Sequence, residues 1–347
     1  MVDPAGPYEV YYTICPVEST SHVAMQRGFF NEVFGSSGVV FKHISSLGRD
    51  SWNIHFDHSH PCFFRDGGNI PPIWARSEGA DTVVVGFTFP KRRQVLLVRE
   101  DSKFRVVPDL KGARIARPFR RKAPIDFWRA TVERGVICTL KCSGLSEMDV
   151  EFVDIELPEY LAEDSETGSI WSHQGDFERF IGEELVQLKK GWVDAVYTEG
   201  ARVGAIEQMK GFRTIFVLSD QPDFFDQVNI CYPCLITVSG DLARGFPEIV
   251  VRYMKALILA GKWAEENRQE VTRMFSEELG VSEEHFRKSF PLTFNELLRP
   301  SADDMGIRAL NVEKDFLLKK GYIKRDFDVS EWVNGEFIEE ASMNLTR

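Results

Sequence analysis

The chain has 347 residues, 43% hydrophobic and 12% aromatic, with a net charge of −11 and a pI near 5.3. That composition belongs to a folded chain and not a disordered one, and the length is too great for one core and predicts two lobes. The acidic balance argues against a nucleic-acid partner, whose phosphates need a basic footprint, and no apolar run approaches the ~20 residues of a membrane span. The most basic stretch, 114–122 (RIARPFRRK), reads as a solvated loop. The opening MVDPAGPYEVYYT lacks the basic and apolar regions of a secretory signal, so a cytoplasmic protein is expected. Six cysteines, at 15, 62, 138, 142, 231 and 234, form no secreted disulfide framework and are expected as reduced thiols.

In chain order, 8–14 (YEVYYTI) predicts a first strand that ends at Cys15-Pro16. A Ser-Thr-Ser run at 19–21 offers helix caps, and 22–27 with Phe29-Phe30 reads as a helix closed by Gly28. A second strand follows at 39–44. Cys15 therefore sits in a βα loop at the carboxyl end of a strand, where open α/β sheets place their ligands. A short helix is expected at 74–78, with strands of the buried kind at 82–87 (TVVVGF) and 94–99 (QVLLVR). After a turn and strand at 109–116, a helix is expected at 127–134 and a strand at 150–155. An acidic loop at 156–175 leads to an amphipathic helix at 177–190. Strands at 193–197, 213–218 and 235–238 precede a long helix at 247–267 and further helices. Strands alternating with helices, then a helical ending, predict an α/β protein with parallel sheets.

The chemistry concentrates in 53–72 (NIHFDHSHPCFFRDGGNIPP), where three histidines, a cysteine and an arginine crowd together. A cysteine is a nucleophile or proton carrier only when its protonation is controlled, and His55 is placed to take or stabilise the Cys15 proton. Arg65 offers a planar fork of donors suited to a two-oxygen anion. Gly67 and Gly68 let backbone amides approach the same anion. Against this stand plainer readings. A lone cysteine usually packs in a core, a histidine is often a satisfied core residue, and Arg65 has Asp66 beside it for a salt bridge.

The stretches AMQRGFFNEVFGSSGVVF, VPDLKGARIARP, LKKGWVDAVYTEGA and FPEIVVRYMKALILAGKWAEEN resemble the type II periplasmic-binding-protein fold, in its sulfonate and thiamine-precursor branch. The resemblance implies two lobes with the ligand between them. The crossings are expected near 106–109 and 226–232, giving lobe one as 1–107 plus 231–347 and lobe two as 108–230. Cys15-Pro16-Val17, His55-Phe56 and Arg65 with Gly67-Gly68 and Ile70-Pro71-Pro72 resemble the 2'-hydroxybiphenyl-2-sulfinate desulfinase family more closely. That resemblance implies Cys15 as the catalytic cysteine, His55 as its partner, and Arg65 with the Gly68 amide as the sulfinate holder. The substrate is then a small aromatic anion handled without metal or organic cofactor by a monomer or weak homo-oligomer. Phe56, His58, His60, Trp128 and Glu199 join Gly67 and Gly68 as expected substrate-binding residues. His58, His60 and the Thr198-Glu199-Gly200-Ala201 stretch depart from the family and predict a more polar pocket.

Competing readings remain open at the level of sequence. A non-catalytic solute-binding protein and a thiamine-pyrimidine synthase share the fold. His55, His58, His60 and Cys62 have spacing that a metal site can use. Cys231-Tyr232-Pro233-Cys234 has redox spacing but leads into a strand, and Cys138 with Cys142 reads as packing.

Overall fold

The computed structural model describes residues 8–15, 17–35, 37–158 and 182–345. Its strands are β1 (Tyr8–Ile14), β2 (Val39–His43), β3 (Phe63–Gly68), β4 (Thr82–Thr88), β5 (Gln94–Arg99), β6 (Arg114–Phe119), β7 (Glu151–Glu156), β8 (Ala195–Glu199), β9 (Phe212–Val217) and β10 (Cys234–Ser239). They form two five-stranded sheets, ordered β2-β1-β3-β10-β4 and β7-β6-β8-β5-β9. The sheets are mixed and not purely parallel. β10 runs antiparallel to β3 and β4, and β5 antiparallel to β8 and β9. Each antiparallel strand is the one that enters its sheet from the other, which reverses its direction.

This topology moves the first boundary. The chain leaves the first sheet after Thr88 and joins the second at Gln94, so the expected crossing near 106–109 is misplaced. It returns between Val217 of β9 and Cys234 of β10. β3, the strand beneath the Arg65 stretch, was not anticipated at all. The helix expected at 177–190 is seen as Glu183–Lys190, and most of the loop expected at 156–175 lies outside the described residues.

Local signals explain the element ends that matter for function. Ser19 caps the helix Thr20–Arg27, its side chain accepting from His22 N, and Gly28 closes it at φ 78°. The helix Ile70–Glu78 carries prolines in its first turn, where a missing N–H breaks no helical bond. One apolar core joins the first sheet to the long helix Pro247–Glu266, through Phe64, Val250, Tyr253 and Leu257. A second core spans the lobes, joining Phe56, Ile70 and Ile73 to Ile125 and Ala130.

The lobes are also pinned to each other away from the strands. Arg134 pairs with Glu313 at 3.0 Å, both buried. Tyr322 Oη donates to Glu133 Oε2 at 2.6 Å. The helix Arg202–Ile206 presses on the helix Glu283–Ser289, where Gly204 N donates to Ser289 Oγ at 2.8 Å. A Cβ on Gly204 would fall 2.1 Å from the His285 carbonyl oxygen, so only glycine permits this approach. Gly204→Ala is therefore expected to destabilise the protein by ~1–3 kcal/mol through overpacking. A thermal-unfolding midpoint equal to wild type would show that the two helices do not bear on each other in this way.

Candidate active site

β1 and β3 lie side by side in parallel register, with Thr13 opposite Arg65 and Ile14 opposite Asp66. Registered residues share a face, so Thr13 and Arg65 point the same way, and Cys15, two residues past Thr13, follows. The Cys15 N–H donates to the Asp66 carbonyl at 2.9 Å, which fixes the loop to β3. Gly67, at φ 152°, lies directly under the thiol. A Cβ there would fall 2.2 Å from Cys15 Sγ, so glycine is what lets the strand meet the sulfur.

Around that sulfur the site assembles as a short relay. Arg65 donates through one terminal nitrogen to Cys15 Sγ at 3.1 Å and through the other to the Gly68 carbonyl at 2.8 Å. His55 Nε2 lies 3.6 Å from Cys15 Sγ, and its Nδ1 lies 3.1 Å from Thr13 Oγ1. Trp52 stacks on the imidazole at 5.3 Å and 4°. Phe56 meets Phe127 of the second lobe at 6.5 Å, closing an apolar wall beside the histidine.

Protonation follows from burial. Cys15 is 8% exposed. Burial pushes its thiol up, against the Arg65 charge and the Gly68 N–H, which both favour the thiolate. Burial likewise drives His55 well below the usual histidine range, with Arg65 adding to the effect. The resting pair is thus a neutral thiol and a neutral imidazole. Because the sulfur already accepts from Arg65 and Gly68, its own S–H is left to donate to Nε2. That assigns His55 as the Nδ1–H tautomer, donating to Thr13.

Arg65 stands out electrostatically. It is 1% exposed, and among the described residues no carboxylate pairs with it. Its Nε has no hydrogen-bond partner. Asp66, its neighbour in sequence, points to the other face and accepts from Ser21 N at 3.0 Å. A buried cation with an idle donor is costly unless an anion arrives. The salt bridge that the Arg65-Asp66 sequence offered does not form.

The remaining expected residues scatter. His58, at φ 55°, turns the chain away. Its Nδ1 lies 3.1 Å from the Phe56 carbonyl and its Nε2 3.4 Å from Thr237 Oγ1. Burial pushes it down to about 3. His60 packs on Tyr11 at 4.6 Å and accepts from Cys62 N at 3.1 Å. Both line a separate cavity of about 420 Å³ with Trp74, Glu78, Asp81 and Asp241, to which Cys15, His55 and Arg65 contribute nothing. Two of the residues behind the expectation of a more polar pocket are thus placed elsewhere. Among the described residues no group of three or more His, Cys, Asp or Glu is arranged to hold a metal. Trp128 donates to Glu184 at 3.2 Å and lies under Arg202, inside the second lobe. Its neighbour Phe127 is the residue that reaches Phe56. The Glu199 carboxyl meets Arg92 and Tyr197. Thr13, Trp52 and Phe127 were missed, although period-two spacing from Cys15 marks Thr13.

Two mixed sheets joined by two crossings, with the site at the carboxyl ends of β1 and β3, define a type II periplasmic-binding-protein-like fold. The periplasmic aliphatic sulphonate-binding protein SsuA of Escherichia coli shares it, with a TM-score of 0.67 at 14% identity over 95% of this chain and 92% of that one. In sequence, the 2'-hydroxybiphenyl-2-sulfinate desulfinase of Rhodococcus erythropolis is 28% identical, over 100% of this chain and 99% of that enzyme. A crystal structure of the desulfurization enzyme DSZB matches with a TM-score of 0.76 at 27% identity, covering 98% of this chain and 100% of that one. A cysteine-to-serine mutant of DSZB in complex with biphenyl-2-sulfinic acid matches with a TM-score of 0.76 at 24% identity, over 97% and 99% of the two chains. No family model matches the chain.

The relay makes Thr13 testable. Thr13→Val keeps the shape and removes the acceptor that holds the His55 tautomer. Losing one buried hydrogen bond, ~0.5–1.5 kcal/mol, is expected to slow turnover by roughly 2- to 10-fold with KM little changed. Unaltered turnover would show that Thr13 does not orient the imidazole.

Proposed function

We propose that the protein is a cysteine-dependent desulfinase that cleaves the carbon–sulfur bond of an aromatic sulfinate and releases sulfite. The observation that carries this reading is the buried Arg65 guanidinium, unpaired by any carboxylate among the described residues, in contact with the Cys15 thiol. An arginine so placed receives a two-oxygen anion. The apolar wall of Trp52, Phe56 and Phe127 supports an aromatic body on that anion. The full-length similarity to a desulfinase points the same way.

In the mechanism we favour, Cys15 is the proton donor. The sulfinate docks with one oxygen toward the idle Nε of Arg65. The Cys15 S–H protonates the ring carbon that carries sulfur, and the carbon–sulfur bond electrons return to the ring as sulfur dioxide departs. Arg65 and the Gly68 N–H stabilise the thiolate as it forms, and both are in place beforehand. Water adds to sulfur dioxide to give bisulfite and a proton, which returns to Cys15 through His55. The sum is sulfinate plus water giving arene plus bisulfite. The neutral resting thiol supports this role over that of a standing nucleophile.

Cys15→Ser is expected to lower sulfite release from aryl sulfinates by ~10²–10⁴-fold, the usual range for a lost general acid. A variant that retained wild-type release would refute the assignment. The pH profile separates donor from nucleophile. A donor is active while protonated, so kcat/KM should hold across neutral pH. It should fall only as pH rises past the Cys15 value, which lies above the ordinary ~8.5 of a thiol. A rise in that range would identify attack by the thiolate instead.

A further inference from the structure

Three residues outside the relay form a buried polar knot between the lobes. Arg92 lies in the segment joining β4 to β5 and is 8% exposed. One of its terminal nitrogens donates to Glu18 Oε2 in a short, buried ion pair. The other lies 3.5 Å from Glu199 Oε1, at the end of β8 in the second sheet. Glu18 stands three residues past Cys15, on the loop that carries the thiol, and in that loop Val17 N turns back on the Cys15 carbonyl at 2.7 Å. A single guanidinium thus holds the thiol's loop with one arm and the opposite lobe with the other.

The hydrogen bonds assign the charges. Tyr197 Oη has one proton and faces two oxygens, Gln94 Oε1 at 2.8 Å and Glu199 Oε2 at 3.0 Å. It also accepts from Asn229 Nδ2 at 3.0 Å. Gln94 Nε2 donates to the Gln227 carbonyl at 2.8 Å, which orients the amide so that its oxygen can only accept. Tyr197 Oη can donate to either oxygen, and both contacts are satisfied at once if Glu199 carries a proton and donates it to Oη. Burial pushes the Glu199 carboxyl up, while Arg92 and the Tyr197 hydrogen bond act against it. A protonated Glu199 leaves Glu18 as the carboxylate that balances Arg92, so that two like charges are not forced together in the interior.

We infer that Arg92 is a positioning residue for Cys15, setting the thiol's alignment on Gly67 and Gly68 by tying the Glu18 loop to the end of β8. The link is geometric. Cys15 Sγ sits so close over Gly67 that a small shift of the loop lifts it from the Gly68 N–H and from Arg65 together. The thiol's acidity therefore depends on a contact made three residues away and shared with the other lobe.

The test reads the thiol directly. The rate of Cys15 alkylation by iodoacetamide is followed against pH by peptide mass spectrometry in wild type, Arg92→Met, Glu18→Gln and Glu199→Gln, alongside kcat and KM for an aryl sulfinate. Arg92→Met and Glu18→Gln are each expected to displace the alkylation profile and change the rate at neutral pH at least threefold. Their kcat should fall at least tenfold, with KM within about threefold of wild type. Glu199→Gln should change both rates less than threefold, because the amide can donate to Tyr197 as the protonated acid does. Wild-type alkylation and kcat in a folded Arg92→Met would overturn the proposal, and equal damage from Glu199→Gln and Glu18→Gln would overturn the charge assignment. Should Arg92→Met not fold, Arg92→Lys takes its place. It keeps the charge beside Glu18 but cannot span to Glu199, so an intermediate profile supports the clamp and a wild-type profile overturns it. The kcat arm rests on the desulfinase reading, whereas alkylation does not. A displaced profile with no sulfite from any variant or wild type would end that reading and leave the clamp standing.

Discussion

The site depends on one constraint, a buried guanidinium that no carboxylate among the described residues neutralises. A guanidinium carries five N–H donors and a positive charge, so everything around it must either accept its hydrogen bonds or tolerate its field. The Gly68 carbonyl and the Cys15 sulfur accept, and burial, with the Arg65 charge adding to it, pushes His55 and His58 toward the neutral form. Gly67 lies under the sulfur because any side chain there would collide with it. The thiol, the imidazole and the glycines are thus arranged around one buried cation whose Nε has no hydrogen-bond partner.

That arrangement needs a frame that holds still. The two lobes are joined by side-chain contacts outside the strands. Arg134 with Glu313, Tyr322 with Glu133, and the glycine contact at Gly204 lie well away from the sulfur. Arg92 adds a contact on the near side, close to the thiol's own loop. Fixed lobes suit a group that must meet its reactant within a few tenths of an ångström.

Much of the site was legible because its chemistry is local. Cys15 after a β-rich run, His55, Arg65 and the Gly67-Gly68 pair lie within two short stretches, and the structure brings them together around the Cys15 sulfur. The lobe boundary was not legible. TVVVGF and QVLLVR are both buried apolar strands, and nothing in either run tells which sheet it enters. His58 and His60 were misleading because crowding in sequence was read as crowding in space, whereas the left-handed turn at His58 sends the chain to another face. Arg92 and Glu199 gave no signal as a pair, since a contact across 107 positions is decided by the topology.

In the proposed mechanism, the neutral thiol and imidazole fit the charge counted through each step. A resting thiolate would occupy the field of Arg65 and repel an incoming sulfinate, because one cation would face two anions. With the thiol protonated, the empty site carries one positive charge and the complex with sulfinate carries none. Proton transfer to the ring carbon leaves a neutral arene and neutral sulfur dioxide beside a thiolate that Arg65 then balances. The buried site therefore stays uncharged from the bound complex through bond cleavage, and no step places an unbalanced charge in a low-dielectric interior. On the proposed donor mechanism, raising the thiol by burial, which would disable a nucleophilic cysteine at rest, lets an anionic substrate enter with a proton waiting for it.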